Sequence, residues 1–169
     1  QGPVVPKFEN CVSSYVSAKF GIAVNSATSA LHIACVSLNL EKDDILWTVG
    51  NTFVSSANCA LYCGSKIDFV DINPSTGLLD IDYLKAKLKK ASINNCLPKF
   101  IIPVHLAGSS CDMEEIYNLS KIYNFSIIED ASHAIGAKYK KDMIGSCQYS
   151  SITVFSFHPV KIITSGEGG

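Results

Sequence analysis

Short apolar runs alternate with amphipathic stretches along most of this chain. We predict strands at the apolar runs, which lie at 22–24, 45–48, 66–70, 100–104, 126–129 and 151–156. Several runs are apolar at consecutive positions, as strands covered on both faces of a sheet must be. The pattern therefore predicts strands that pair in parallel.

The amphipathic stretches between these runs are predicted helices, at 28–38, 53–63, 81–91 and 113–123. Gly64 is expected to end the second helix, and Asp112 is the expected N-cap of the fourth. Strands that alternate with helices indicate an α/β fold, here a doubly wound, mainly parallel sheet with helices on both faces. The ligand crevice of such a sheet lies beyond the carboxyl ends of its strands.

Polar residues follow several predicted strands, at the edge where that crevice is expected. Because function is expected at this edge, these residues are the candidates for binding and chemistry. They are Asn25, Ser26, Thr28, Asn51, Thr52, His105, Asp130, His133, Ser156, His158 and Lys161.

Hydroxyls and small side chains at 25–30 lead directly into the first predicted helix. Free backbone N–H groups and the positive end of the helix dipole bind anions, and Ser or Thr hydroxyls add donors to a phosphate. The same residue types are also the usual N-caps of any helix. A phosphate site and a simple cap are both consistent with this segment.

Asp130 stands at the end of a predicted buried strand, where a carboxylate is costly unless it meets a cation or several donors. Glu129 precedes it and points to the opposite face, so the two acids cannot serve one site. A helix cap is the competing interpretation of Asp130. His133, three residues later, is by itself more typical of a packing residue than of a catalytic one.

Lys161 follows the last predicted strand among apolar neighbours. Partial desolvation favours the neutral, nucleophilic amine that Schiff-base chemistry requires, although most lysines are simply solvated. Pyridoxal phosphate requires three kinds of protein group. In chain order, this sequence offers hydroxyl donors at a helix start, an aspartate at a strand end and a partly desolvated lysine. They would contact its phosphate, its pyridinium nitrogen and its aldehyde.

The charged residues are nearly balanced, with 14 basic and 15 acidic side chains and a net charge of −1. This balance offers no basic patch for nucleic acid or for an anionic membrane, so we expect neither as a partner. All the basic residues are lysines, which excludes a bidentate guanidinium clamp within this chain. No apolar run approaches the roughly 18 residues of a membrane span.

Seven cysteines are scattered without a disulfide framework, which favours a reducing, cytoplasmic location. Cys59 with Cys63, and His32 with Cys35, have spacings that could supply half of a metal site. Free cysteines are commonly small buried hydrophobes, so we expect no metal.

Four ordered motifs resemble the DegT/StrS family of pyridoxal phosphate-dependent sugar-nucleotide aminotransferases. They are Asn-Ser-Ala-Thr-Ser-Ala-Leu-His at 25–32, Ile-Pro-Val-His-Leu-Ala-Gly at 102–108, Glu-Asp-Ala-Ser-His-Ala-Ile-Gly at 129–136, and Phe-Ser-Phe-His-Pro-Val-Lys at 155–161. The resemblance extends over essentially the whole chain. Its details look most like the branch that acts on the route to pseudaminic acid.

The resemblance implies a type I, aspartate aminotransferase-like fold that works as a homodimer with shared active sites. It implies a longer chain, so we expect 1–169 to be an incomplete cofactor-binding large domain whose small domain is missing. The implied reaction moves an amino group from a donor such as glutamate to a 4-keto sugar nucleotide. A UDP-linked 4-keto-6-deoxy-N-acetylhexosamine is the substrate we expect, for surface glycan biosynthesis.

The family's functional positions fall on eight residues of this chain. The resemblance implies three catalytic residues: Lys161 as the lysine bound to the cofactor, Asp130 as the partner of its ring nitrogen, and His133 as a neighbour on the ring. It places the phosphate against Thr28, Ser29 and Ser156, an aromatic stacking partner at Phe53, and the substrate beside His158.

Two rival hypotheses stay open. Family members that dehydrate a sugar at C3 carry a histidine where the aminotransferases have the lysine, and Lys161 argues against that activity. The second rival is a truncated, non-catalytic module of the same fold, which has only the abrupt end at Gly169 in its favour.

Overall fold

The computed structural model describes residues 2–169 and contains one main sheet with helices on both faces. Its strands are Ile45–Val49 (β1), Lys66–Val70 (β2), Phe100–Ile101 (β3), Ser126–Asp130 (β4) and, after a small hairpin, Ile152–Val154 (β7). They pair in parallel in the order β2-β1-β3-β4-β7. The hairpin consists of Lys138–Tyr139 (β5) and Asp142–Met143 (β6). The predicted parallel α/β sheet is therefore confirmed.

The described residues form five α-helices. They are Val4–Val16 (α1), Ala27–Ser37 (α2), Ser55–Tyr62 (α3), Ile81–Ile93 (α4) and Met113–Tyr123 (α5). α2 and α3 pack on one face around a core that includes Cys35, Leu46, Phe100 and Ile128. α4 and α5 pack on the other face, around a core that includes Trp47, Leu84, Ile101, Ile116 and Ile127. Alternate strand residues supply the two cores, as the pleat requires.

Three predicted strands differ from the structure. The segment 22–24 is not a strand, because only Val24 makes hydrogen bonds of the kind that join strands. Val24 and Gly169 exchange two N–H···O bonds of 3.0 Å. The predicted strand 100–104 shortens to β3, and Pro103 lies in the lost part, where it has no N–H to donate to a ladder. The strand predicted at 151–156 shortens to β7.

All four predicted helices exist, with ends that shift by at most a few residues. Asp112 does occupy the N-cap position of α5, but its carboxylate does not cap the helix; it accepts a 2.5 Å hydrogen bond from the Tyr139 hydroxyl. α1 and the β5–β6 hairpin were not predicted. Among residues 2–169, no helix has the length and apolar character needed to cross a membrane.

Candidate active site

A cavity of about 460 Å³ lies beyond the carboxyl ends of β1, β4 and β7. This volume is in the range of small-molecule sites. Seven of the eight residues that the resemblance assigned to a site line this cavity: Thr28, Phe53, Asp130, His133, Ser156, His158 and Lys161. Ser29 is the exception: its N–H donates to Ser26 Oγ at 3.2 Å, and its Oγ accepts a hydrogen bond from the Ser26 hydroxyl at 3.3 Å.

The segment before α2 is both a cap and a source of hydroxyls for the cavity. Ser26 is the N-cap and accepts the N–H of Ser29. Thr28, the second residue of the helix, shares a 2.7 Å hydrogen bond with Ser55 Oγ, and both residues line the cavity. The cap interpretation is therefore confirmed for Ser26, and a phosphate site at Thr28 stays a prediction. Ser55 was not predicted, because only the packing of α3 against α2 brings it to Thr28.

Asp130 is buried and accepts three hydrogen bonds. Ser56 Oγ donates to Oδ2 at 2.6 Å, while Ser132 donates to Oδ1 from its hydroxyl at 2.6 Å and from its N–H at 3.1 Å. Hydrogen bonds to an ionised carboxylate are the strong ones, and they offset the cost of burying its charge. The carboxylate is thus held at the cavity wall by three donors, and it caps no helix.

Glu129 faces the opposite side of the sheet, as the strand periodicity predicts. Its Oε2 lies 2.7 Å from Nε2 of His105, and its Oε1 accepts hydrogen bonds from the hydroxyls of Ser150 and Thr153. Burial alone would raise the pKa of Glu129, but these hydrogen bonds outweigh it and lower that pKa below its ordinary 4.5. The expectation that His105 lies in the crevice is wrong, because its buried ring pairs with Glu129.

His133 and Lys161 lie close together on the cavity wall, and Lys161 is half-buried there. Burial, and then the positive charge of Lys161, lower the pKa of His133 below its ordinary 6.5, while Asp130 opposes the shift. The N–H of Ala107 donates to Nδ1 of His133 at 3.4 Å. His133 is therefore a neutral imidazole near neutral pH.

The segment that carries Ser156 and His158 follows β7 and closes one side of the cavity. The N–H of His158 donates to Ser156 Oγ at 3.5 Å, and its Nδ1 accepts the N–H of Val160 at 3.3 Å. Nε2 of His158 lies 3.8 Å from a carboxylate oxygen of Glu167, another lining residue. His158 is thus oriented by its own loop, with a carboxylate nearby.

Asn51, one of the polar residues expected at the crevice, lines the cavity and contributes an acceptor to it. Its Nδ2 donates to the carbonyl of Gly77 at 2.7 Å, which ties the loop after β2 to the cavity. Its Oδ1 is buried and has no hydrogen-bond partner among the described residues. An unpaired buried acceptor in a cavity wall is suited to a ligand that brings a donor.

The cysteines of α2 and α3 meet in the core. A hydrogen bond with Cys59, and then burial, raise the pKa of the Cys35 thiol, and burial raises the pKa of Cys63. Protonated thiols are poor metal ligands. In the part of the chain that the structure describes, no three His, Cys, Asp or Glu side chains are grouped to hold a metal ion.

The family model described as the DegT/DnrJ/EryC1/StrS aminotransferase family matches residues 1–169. The chain belongs to this family. The recognition made from the four motifs is therefore confirmed. So is the predicted fold class, because solved aminotransferases of this family superpose on the chain over nearly its whole length.

Three DegT/DnrJ/EryC1/StrS relatives illustrate the similarity. The UDP-4-amino-4,6-dideoxy-N-acetyl-beta-L-altrosamine transaminase of Campylobacter jejuni is 44% identical over 168 residues, which are 99% of this chain and 43% of that protein. PseC of Helicobacter pylori, an aminotransferase involved in the biosynthesis of pseudoaminic acid, superposes with a TM-score of 0.86 at 31% identity, covering 99% of this chain and 43% of PseC. The PLP form of the putative sugar aminotransferase Spr1654 of Streptococcus pneumoniae superposes with a TM-score of 0.86 at 29% identity, covering 100% of this chain and 45% of that one. The chain spans less than half the length of these relatives.

Proposed function

We propose that this chain binds pyridoxal phosphate and belongs to an enzyme that transfers an amino group to a 4-keto sugar nucleotide. The observation that carries the proposal is the grouping of Thr28, Asp130, Ser156 and Lys161 on one cavity. These residues come from three separate parts of the chain. They offer hydroxyl donors, a carboxylate and an amine, which are the groups the cofactor's phosphate, ring nitrogen and aldehyde require.

The cavity fits this cofactor in its size and in its donors. A volume of about 460 Å³ accommodates a small aromatic phosphate. Thr28 and Ser55 lie at the N-terminal ends of α2 and α3, where free N–H groups and helix dipoles favour an anion. Phe53 has its side chain 71% exposed at the cavity, which leaves an aromatic face free to stack on a ring.

The roles of the side chains follow from their chemistry. Pyridoxal phosphate, when bound, supplies an electron sink for the donor carbon that loses a proton. Asp130 would hold a proton on the cofactor's ring nitrogen, because three hydrogen bonds from Ser56 and Ser132 fix its carboxylate at the cavity wall. Lys161 Nζ binds the cofactor and then moves the proton that transamination transfers. His133, neutral and beside Lys161, orients the cofactor without adding charge.

We further propose a UDP-linked 4-keto-6-deoxy-N-acetylhexosamine as the amino acceptor and an amino acid such as glutamate as the donor. The 44% identity to the Campylobacter transaminase supports this acceptor. Lys161 on the cavity wall favours transamination over C3 dehydration, and the convergence of four functional groups favours an enzyme over a non-catalytic module. Seven cysteines without a paired framework support a cytoplasmic location.

We also propose a homodimer. Large apolar side chains are exposed at and beside the cavity, including Phe53 at 71%, Val160 at 77% and Ile162 at 67%. Several large apolar side chains exposed near one site are typical of an interface between subunits. A second subunit placed there would cover this surface and complete the walls of the site.

Covalent labelling tests the proposal. The whole protein is incubated with pyridoxal phosphate, reduced with borohydride and mapped by peptide mass spectrometry. We expect the label on Lys161, and its loss in Lys161→Ala but not in the control Lys19→Ala. Label on another lysine, or on none, would overturn the assignment. Mass spectrometry of products formed from UDP-4-keto sugars and glutamate then tests the acceptor.

A further inference from the structure

His105 is completely buried on the far side of the sheet from the cavity, yet its backbone begins a turn that lines the cavity. Its Nε2 contacts Glu129 at 2.7 Å, and its Nδ1 accepts the N–H of Cys111 at 3.2 Å. Burial lowers the pKa of this ring, whereas Cys111 and Glu129 raise it, and the balance is upward. The Glu129 carboxylate and the Cys111 N–H thus contact the two ring nitrogens of His105 and fix the orientation of the ring.

The Glu129 side chain is itself held in place by hydrogen bonds. Its second oxygen accepts hydrogen bonds from Ser150 at 2.5 Å and from Thr153 at 3.0 Å, and only 5% of the residue is exposed. The His105 backbone is also fixed, because its N–H donates to the carbonyl of Asp130 at 3.0 Å. The His105 side chain contacts Glu129 and its backbone N–H donates to Asp130, so both parts of the residue are hydrogen-bonded to β4.

The turn that follows His105 has a backbone that needs such an anchor. Ala107 and Gly108 have φ values of 53° and 86°, and the left-handed conformation is costly for a residue with a side chain such as Ala107. The carbonyl of His105 accepts the N–H of Gly108 at 3.2 Å, which closes the turn. A side chain added at Gly108 would come within 3.1 Å of the His133 carbonyl, so the turn packs directly on His133.

The turn presents one donor to the site. The Ala107 N–H points at Nδ1 of His133, 3.4 Å away. An imidazole nitrogen that accepts a hydrogen bond carries no proton, so the single proton of His133 lies on Nε2. The buried His105–Glu129 pair is therefore connected to the tautomer of His133 through the three backbone residues 105–107.

We propose that His105 is a positioning residue: with Glu129 it holds the turn 105–109, whose Ala107 N–H occupies Nδ1 of His133 and places that ring's proton on Nε2. The inference deepens the proposed function, because His133 is one of the cavity residues. The charged groups around His133, Lys161 and Asp130, are left unchanged by substitutions at His105. A change at His133 in such a variant therefore reports on the turn.

Imidazole ¹⁵N NMR on the whole protein without cofactor tests the inference, with His133 assigned from His133→Asn. In the wild type we expect the proton on Nε2 and a pKa below the ordinary value of about 6.5. His105→Leu removes both ring hydrogen bonds and frees the turn, so the two tautomers of His133 should mix. His105→Gln keeps an acceptor and a donor and should preserve the wild-type signals. His32→Gln, a histidine on α2, is the control and should change nothing.

Gly108→Ala provides a second variant in case His105→Leu does not fold. It pushes the turn away from His133 without touching the buried pair, and we expect the same mixing of tautomers. A proton on Nδ1 in the wild type, or an unchanged His133 tautomer in folded His105→Leu or in Gly108→Ala, would overturn the inference. Because no cofactor is used, a failure of Lys161 labelling leaves this result intact, and the two proposals can fail separately.

Discussion

Ser56 donates a 2.6 Å hydrogen bond from its hydroxyl to Oδ2 of Asp130, although the two residues are 74 positions apart in the chain. Ser56 is fully buried in the first turn of α3, where its hydroxyl also contacts that of Thr52 at 2.8 Å. The carboxylate assigned to the cofactor's ring nitrogen is thus oriented by the helix that follows β1. This contact makes α3 part of the site and not only a cover for the sheet.

Ser56→Ala should destabilise the protein by about 1.5–3 kcal/mol, the range for a hydrogen bond to a charged group. The loss arises because one oxygen of the buried Asp130 carboxylate is left without its donor. Urea unfolding at neutral pH measures it, and Ser14→Ala, an exposed serine on α1, is the matched control. Equal stability of the two variants would show that the hydrogen bond is not a significant anchor of Asp130.

Asp130→Asn should retain the cofactor but slow its amination by glutamate about 10³-fold. A neutral amide does not hold the proton on the ring nitrogen, and losing such a charge contact costs several kcal/mol at the transition state. Stopped-flow absorbance of the bound cofactor follows this half-reaction, with Asp71→Asn, an exposed aspartate, as the control. A near-normal rate in Asp130→Asn would contradict the proposed role.

The sequence was most informative where a residue's position along its own element determines its exposure. The amphipathic pattern of 113–123 predicted α5 to the residue, and strand alternation separated Glu129 from Asp130 correctly. Lys161 and Asp130 could be proposed because strand ends of a parallel sheet meet at one edge. The segment 22–24 was misassigned because an apolar run does not reveal whether a neighbouring strand is available to pair with it.

Contacts between distant elements could not be predicted. Ser55 and Ser56 look like any hydroxyl residues at a helix start, and only the packing of α3 brings them to Thr28 and Asp130. His105 was expected in the crevice because it follows a strand, but pairing with the buried Glu129 turns its ring to the other face. Both outcomes depend on which polar partner satisfies a buried group, and local pattern does not contain that information.

Protonation of Glu129 should lower the free energy of unfolding in acid. Its pKa is lowered in the folded state, so its contribution is present above the ordinary value of 4.5 and is lost as the pH falls through the lower, folded value. Glu129→Gln should therefore show a shallower fall in unfolding free energy below pH 4.5 than the wild type. Urea unfolding across this range is the measurement. Glu114→Gln, which removes a surface pair with Lys140, should keep the wild-type slope; the same slope in Glu129→Gln would contradict the assignment.

Ile162→Lys should weaken the homodimer at least about 10-fold, because a charge placed at the centre of an apolar interface must be desolvated without a partner. Ile162 is 67% exposed next to Lys161, at the surface assigned to the second subunit. Ile93 provides a matched control, since it is 75% exposed at the end of α4, away from the cavity. Sedimentation velocity over a dilution series of the whole protein measures both variants. Dissociation by Ile162→Lys alone would support the interface beside the cavity, whereas equal behaviour of Ile162→Lys and Ile93→Lys would place the subunit contact elsewhere.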